Sequence, residues 1–262
     1  MRNRRLRVYF LALFLAAELF VWVAPYGARV YFRKIASPPP RVSVFLPGHA
    51  PVFKKTREFS VLKKWSFARP ASVALWEEKI FKGKTVYQAV ASDGGGYLSA
   101  ASRAASSGLY KKIKYEVTPH LYLAWDWKAA EFPKKERPGK LADRAQDDFA
   151  ARVYVIFSGT PFFNSHVIEY LWDESLPKGT VASSPFSNGI KLFVIQSGRA
   201  GNEGGGWVHE ERNLYEDYTA LFEAKPDRPM EAIAIMSDSD NTHSSSAAFF
   251  KNIEIKSKKT DS

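Results

Sequence analysis

Along most of the chain beyond residue 70 the apolar positions recur with a period of two, and a helical period shows in one short stretch only. The strongest segment runs from Asp147 to Phe157: two carboxylates open it, and β-branched and aromatic residues fill most of the rest. Val153, Val155 and Phe157 fall on one face and Arg152, Tyr154 and Ile156 on the other. Both faces are largely covered, so the segment reads as a central strand with Asp147 and Asp148 at its mouth. Leu121, Leu123, Trp125 and Trp127 share one face of another strand, a face heavy enough to be core. Leu109, Ile113, Tyr115 and Val117 alternate with Lys112, Lys114 and Glu116, the pattern of a strand with one wet face. Residues 166–172, 190–197, 232–237 and 249–255 read as further strands. Val73–Glu78 and Thr85–Ala91 flank Lys82-Gly83-Lys84, and that spacing predicts a hairpin across the turn.

The helical stretch follows Asn213, which can cap it, with Glu216 three residues on as the second half of a capping box. Leu214, Tyr218, Leu221 and Phe222 fall at helical spacing, and Pro226 and Pro229 bar continuation. About ten short strands, turns rich in Gly, Pro and Asn, and one short helix predict an all-β fold. The expected form is a two-sheet antiparallel sandwich of the jelly-roll type.

Ahead of this domain, Met1–Arg7 carries Arg2, Arg4, Arg5 and Arg7, and Val8–Val23 is apolar except for Glu18. That is the pattern of an export signal or a signal anchor. Small-x-small cleavage sites are poor, because Trp22 and Tyr26 hold the minus-three places before Ala24 and Ala28. An uncleaved transmembrane anchor is therefore favoured, although Glu18 near its midpoint costs about 2.5–3.5 kcal/mol. Ser37-Pro38-Pro39-Pro40 cannot be helix and reads as an extended spacer. The expected organisation is a signal anchor or signal peptide over 1–28, a Pro-rich linker over 29–58, the sandwich over 59–257 and a disordered tail over 258–262. The expected location is the inner membrane facing the periplasm, or the periplasm itself.

At 262 residues, 45% hydrophobic and 15% aromatic, the chain can bury one sizeable core. A formal charge of +11 draws it towards anionic partners. The basic residues are nevertheless scattered, as on a solvated surface, and no nucleic-acid motif accompanies them. The absence of cysteine excludes a disulfide framework and a thiolate metal site. No nucleophile elbow, phosphate loop or dinucleotide fingerprint is present. The five histidines are dispersed, with no pair at metal-ligand spacing on one element.

Two stretches carry candidate chemistry. Asp238-Ser239-Asp240-Asn241-Thr242 places closely spaced oxygen ligands after a strand, which suits calcium on Asp238, Asp240 and Asn241. It is not an EF-hand, since His243 stands at the sixth position and Phe249 at the twelfth, and Asx residues also cap turns. Trp207-Val208-His209-Glu210-Glu211-Arg212-Asn213 puts Trp207, His209 and Glu211 on one face and Val208, Glu210 and Arg212 on the other. Carboxylates and guanidinium forks grip hydroxyl pairs, while flat rings cover the apolar faces of pyranoses. The expected ligand set is Asp147, Asp148, Arg152, Trp207, Glu211, Arg212 and Asp217, gathered in one water-accessible hollow at the sandwich rim. A simpler reading pairs Arg212 with Asp147 or Asp148 to neutralise an inward charge.

Several motifs together resemble a bacterial family known as domain of unknown function 3047. They are Ser107-Gly108-Leu109-Tyr110-Lys111-Lys112, Trp125-Asp126-Trp127-Lys128, Asp147-Asp148-Phe149-Ala150-Ala151-Arg152-Val153-Tyr154, Tyr170-Leu171-Trp172, Leu176-Pro177-Lys178-Gly179-Thr180, Glu211-Arg212-Asn213-Leu214-Tyr215-Glu216-Asp217-Tyr218 and Asp238-Ser239-Asp240-Asn241-Thr242. The resemblance implies a galactose-binding-like jelly roll, with carbohydrate-binding modules as wider neighbours, and implies no activity. The leading expectation is an exported domain that binds a saccharide of the envelope or periplasm. The alternatives are a polysaccharide-active enzyme working through two carboxylates, and a scaffold for a partner protein or an anionic surface.

Overall fold

The computed structural model describes residues 58–93, 95–159, 165–198 and 206–259. The expected anchor or signal and most of the linker lie outside these residues. Among the described residues no helix is long and apolar enough to cross a membrane. The chain runs through β1 (Phe59–Trp65), a 3₁₀ turn over Pro70–Leu75, β2 (Glu77–Lys82), β3 (Val86–Val90), β4 (Tyr97–Arg103), β5 (Ser106–Tyr115) and β6 (Leu121–Glu131). A long connection then leads to β7 (Ala151–Phe157), β8 (His166–Asp173), β9 (Val181–Ser183), β10 (Ile190–Ser197) and β11 (Val208–Asn213). Helix α1 (Leu214–Phe222), β12 (Met230–Met236) and β13 (Ser245–Lys258) complete it.

Two sheets result. The first, of six strands, runs β11-β6-β13-β4-β3 with β1 on β13; the second, of seven, runs β2-β5-β12-β7-β8-β10-β9. Strand β13 organises the first sheet, because β6 lines one side while β4 and then β1 share the other. In the second sheet β7 is central as its pattern predicts, lying between β12 and β8 with every residue buried.

Aromatic contacts lock the sheets face to face. Leu123, Trp125 and Trp127 of β6 are fully buried. The Trp125 ring lies 5.4 Å from that of Tyr170, and Trp127 lies 5.5 Å from Trp172, both partners being on β8. A buried tryptophan removes roughly 150–250 Å² from water, worth up to about 4–6 kcal/mol against an extended chain. Helix α1 closes one end. Asn213 Oδ1 accepts the N–H groups of Tyr215 and Glu216 as the expected cap, and Tyr218 packs edge-on against Phe157 with centroids 4.9 Å apart.

Three expectations need correction. The Lys82-Gly83-Lys84 turn does not make a hairpin: β2 pairs with β5 in the second sheet and β3 with β4 in the first. The chain crosses between sheets there, with Gly83 at φ +64°, and buried Thr85 lies just ahead of the β3–β4 register. Its N–H donates to Ser107 Oγ at 2.9 Å and its hydroxyl to the Ser237 carbonyl at 3.0 Å. The strand expected from Val73 begins only at Glu77, because Pro70 starts a 3₁₀ turn. Finally, the sandwich is not wholly antiparallel, since β8 and β10 run parallel with β9 in the connection between them. The helix ends at Phe222 ahead of both prolines, on Glu223 at φ +54°, and β13 runs through Lys258, the residue at which a tail was expected to start.

Gly96, at φ +75°, enters β4 under backbone: a Cβ there would lie 2.8 Å from Ala68 Cα, Phe67 O and Val90 O. Gly139, at φ +89°, has nothing within 4 Å of such an atom. Urea unfolding should show Gly96→Ala losing about 2–4 kcal/mol and Gly139→Ala only about 1. Equal losses would mean that the close approach at Gly96 is absent.

Candidate functional site

The residues singled out by sequence do not meet in one hollow. The structure divides them among three places. Asp147, Asp148, Arg152 and Asp238 form the first, on the side of the second sheet that faces away from the first. Arg152 follows Ala151 at the start of β7, so period two turns it away from the inter-sheet core that Val153 enters. Its guanidinium is buried against carboxylates on three sides. Nε reaches Asp238 Oδ1 at 3.0 Å, Nη2 reaches Asp238 Oδ2 at 2.6 Å, and Nη1 reaches Glu169 Oε2 at 3.1 Å and Asp147 Oδ2 at 3.4 Å. Nη2 also donates to the Asp147 carbonyl. The ring of Phe149 has two cations near it, with Arg152 Cζ 4.6 Å and Lys135 Nζ 3.7 Å from its centroid.

One guanidinium cannot neutralise three carboxylates. Asp238 holds it through both oxygens, whereas Glu169 makes a single contact. Burial pushes the Glu169 carboxyl up to about 7, although Arg152 pulls it down. Burial raises the Asp147 and Asp238 carboxyls as well, so the cluster sheds its excess charge by keeping a proton among these three acids. The sequence reading omitted Glu169; its place between Ile168 and Tyr170 on an otherwise apolar strand was the signal available.

Of the expected calcium ligands, Asp238 and Asn241 take part in hydrogen bonds within the chain. Oxygens of Asp148, Asp238 and Asp240 come within 4.8 Å of one another. Asp148 is occupied by the backbone N–H of Thr242 at 2.6 Å and by the N–H and side-chain amide of Asn241 at 3.3 Å, while Asp238 takes Arg152 and the Phe149 N–H. Asn241 donates to Asp148 through both its backbone N–H and its side-chain amide. These bonds latch the loop after β12 on to the mouth of β7, the capping role open to Asx residues. Beside the latch lies a cavity of about 260 Å³, walled among others by Phe132, Lys135, Asp148, Phe149, Trp172 and Asp173. Lys135 and Asp173 face each other there at 2.8 Å.

Arg212 and Asp217 form the second place, where β11 enters α1. Arg212 Nε and Nη2 bond the two Asp217 oxygens at 2.8 and 2.5 Å, and Tyr170 donates its hydroxyl to Asp217 Oδ2 at 2.6 Å. The guanidinium lies over Phe193 and Tyr170, 5.1 and 5.7 Å from their centroids. The pairing of Arg212 with Asp147 or Asp148 is corrected: Asp147 is paired with Arg152, and Arg212 with Asp217.

Trp207 and Glu211 belong to the third place, the outer face of the first sheet. Strand β11 alternates as expected, with Val208 packed on the core and His209 outward. Trp207 is the one exposed aromatic ring among the described residues, at 37%. Its ring meets Tyr97 of β4 at 5.6 Å and Phe249 of β13 at 6.4 Å, and those two meet at 5.2 Å. Lys251 Nζ lies 4.2 Å from the Trp207 centroid. Next to the rings, Asp126 of β6 contacts His209 Nδ1 at 2.6 Å and accepts the Asn252 amide at 2.6 Å. A bulge in β13 between Lys251 and Glu254 puts Asn252 at φ +50° and turns its side chain on to Asp126. Glu211 stands further along, paired with Lys256 at 3.4 Å. Tyr97, Asp126, Phe249, Lys251 and Asn252 escaped the sequence reading, since only strand register brings β4, β6 and β13 beside Trp207. The alternation of buried Trp125 and Trp127 with Asp126 and Lys128 was the legible part.

Glu169 supplies a test of the Arg152 cluster. A carboxylate raised from 4.5 to about 7 in the fold stabilises it fully below pH 4.5, and that contribution is lost as pH rises towards 7. Glu169→Gln should therefore gain stability relative to the native chain between pH 4.5 and 8, by roughly 2–3 kcal/mol. Parallel pH profiles of the two melting temperatures would refute the assignment.

No curated protein matches the chain by sequence. Among solved structures, a carbohydrate-binding module that recognises mannan, TmCBM27, is 11% identical over 77% of this chain and 99% of its own, with a TM-score of 0.34. The CBM22-1 xylan-binding domain of Paenibacillus barcinonensis Xyn10C is 9% identical over 79% and 99%, with a TM-score of 0.36. The xyloglucanase domain of NopAA from Sinorhizobium fredii is 9% identical over 70% and 93%, with a TM-score of 0.39. Residues 74–254 match the model of the family described as "Protein of unknown function (DUF3047)", and the chain belongs to that family.

Proposed function

We propose that this protein is an exported, membrane-tethered β-sandwich of the jelly-roll kind that binds a saccharide of the cell envelope or periplasm on the outer face of its first sheet. One observation carries the reading: the Trp207, Tyr97 and Phe249 rings stand together on an open sheet face beside the hydrogen-bonding group Asp126, His209 and Asn252. A pyranose has an apolar C–H face and a rim of hydroxyls, so it calls for a ring to cover the one and fixed polar groups to meet the other. Tyr97, Phe249, Asp126 and His209 stand on paired strands, and Trp207 immediately precedes β11. The tethering part of the proposal rests on the arginine-rich start and the apolar run of residues 8–23.

Lys251 does not block the face. An ammonium over an exposed ring is worth about 0.5–1 kcal/mol. The half-exposed side chain can therefore swing into water and yield the ring to a sugar at that small cost.

Calorimetry against a panel of envelope oligosaccharides tests the proposal. Trp207→Ala should weaken binding about five- to tenfold, since stacking on one ring is worth about 1–1.5 kcal/mol. Its melting temperature should stay within about 2 °C of the native value, because surface substitutions fall within about 0.5 kcal/mol. Absence of binding to the whole panel, or unchanged affinity in Trp207→Ala, would defeat the reading.

A further inference from the structure

The charges around the aromatic group are unevenly committed, and this bears on which saccharide fits. Along the outer face of the first sheet Glu254, Glu211 and Asp126 are occupied, while Glu131 at the end of β6 has no ion pair among the described residues. Glu254 holds Lys64 at 2.7 Å and Lys256 at 3.4 Å, Glu211 holds Lys256 at 3.4 Å, and Asp126 is taken by His209 and Asn252. Beside the rings, two ammonium groups have no carboxylate partner. Lys251 follows Phe250 on β13 and lies over Trp207; Lys128 of β6 stands opposite Phe249 in the sheet register. Among the described residues neither is within ion-pair distance of a carboxylate, and both are only half-buried. They flank Phe249 and Trp207, the two rings on which a sugar would lie.

We infer that the ligand is an acidic saccharide, one carrying carboxylate or sulfate groups, with Lys251 and Lys128 as the residues that select for its charge. The inference rests on the saccharide reading above and adds to it the class of sugar. An uncommitted cation beside a stacking ring costs little in the free protein, because water solvates it at the half-exposed position. It gains a charge-assisted bond only when an anion arrives with the sugar. A neutral glycan would leave both ammonium groups without a partner and would take nothing from them beyond ordinary hydroxyl contacts. The charge of +11 on the whole chain adds a longer-range attraction in the same direction.

The test uses the full-length chain and glycans matched in backbone but not in charge. Polygalacturonate and its fully methyl-esterified form make one pair. Heparin and alginate extend the acidic side, and dextran and galactan the neutral side, with single-stranded DNA as a polyanion that is not a glycan. At low salt the acidic members should bind at least about tenfold more tightly than the neutral ones. Lys251→Gln should cost about tenfold against acidic members alone, the loss of one charge-assisted bond. Lys128→Gln with Lys251→Gln should abolish the preference while leaving the fold intact by melting temperature. Equal or tighter binding of neutral glycans, or a preference that survives the double substitution, would overturn the charge assignment and leave the saccharide reading standing. Single-stranded DNA bound as tightly as the acidic glycans would overturn it by showing a general polyanion surface. Failure of every glycan to bind would overturn both.

Discussion

A single buried guanidinium sets the terms for much of this fold. Arg152 reaches β8 through Glu169, the entry to β7 through Asp147 and the loop after β12 through Asp238. Burying a guanidinium costs several kcal/mol unless its donors are met, and a carboxylate without its cation costs as much again. The guanidinium is therefore tolerable only while acceptors around it meet its donors. The planar fork matters as well as the charge: Asp238 takes two parallel bonds from it, which a lysine could not supply. The same Asp238 oxygen accepts the Phe149 N–H, and Asp148 next door latches Asn241 and Thr242. In this way the approach to β7 and the exit from β12 are bound into one polar lock.

That lock decides which surface remains for a ligand. On the second sheet the face turned away from the sandwich is itself buried at Tyr154, Ile156, Val167, Ala232 and Ala234. The acids and the arginine that looked like a binding groove are spent within it. The first sheet is built differently. Its inner face carries the tryptophan stack of β6, and its outer face presents Trp207 with its neighbours and a line of half-exposed polar groups. Rigidity for that outer face comes from β13, whose length lets it pair with β1, β4 and β6. The core thus serves recognition indirectly, by holding rings and polar groups at fixed spacing.

Much of the architecture could be read from residue order because period two is a local property. The burial of both faces of β7, the tryptophan face of β6, the cap at Asn213 and the face alternation of β11 all follow from neighbours in sequence. Sheet membership does not. Lys82-Gly83-Lys84 has the composition of a hairpin turn, yet the buried bonds of Thr85 to Ser107 and Ser237 carry the chain across the sandwich. The candidate site failed to emerge for a related reason. Acids and arginines are conspicuous as letters, but whether Arg152 meets Asp238 or solvent depends on pairings 86 residues apart. Tyr97, Asp126 and Phe249 are unremarkable in their own strands and acquire a role only beside Trp207.

The claim that the outer face of the first sheet receives the ligand, while the Arg152 lock is structural, is tested most directly by nuclear magnetic resonance. An acidic oligosaccharide is titrated into the ¹⁵N-labelled full-length chain while the Trp207 indole N–H, the Arg152 Nε–H and the Phe149 amide are followed together. The account predicts a saturable shift of the Trp207 signal with the Arg152 and Phe149 signals unmoved. Saturable movement of Arg152 and Phe149 with Trp207 unchanged would contradict it.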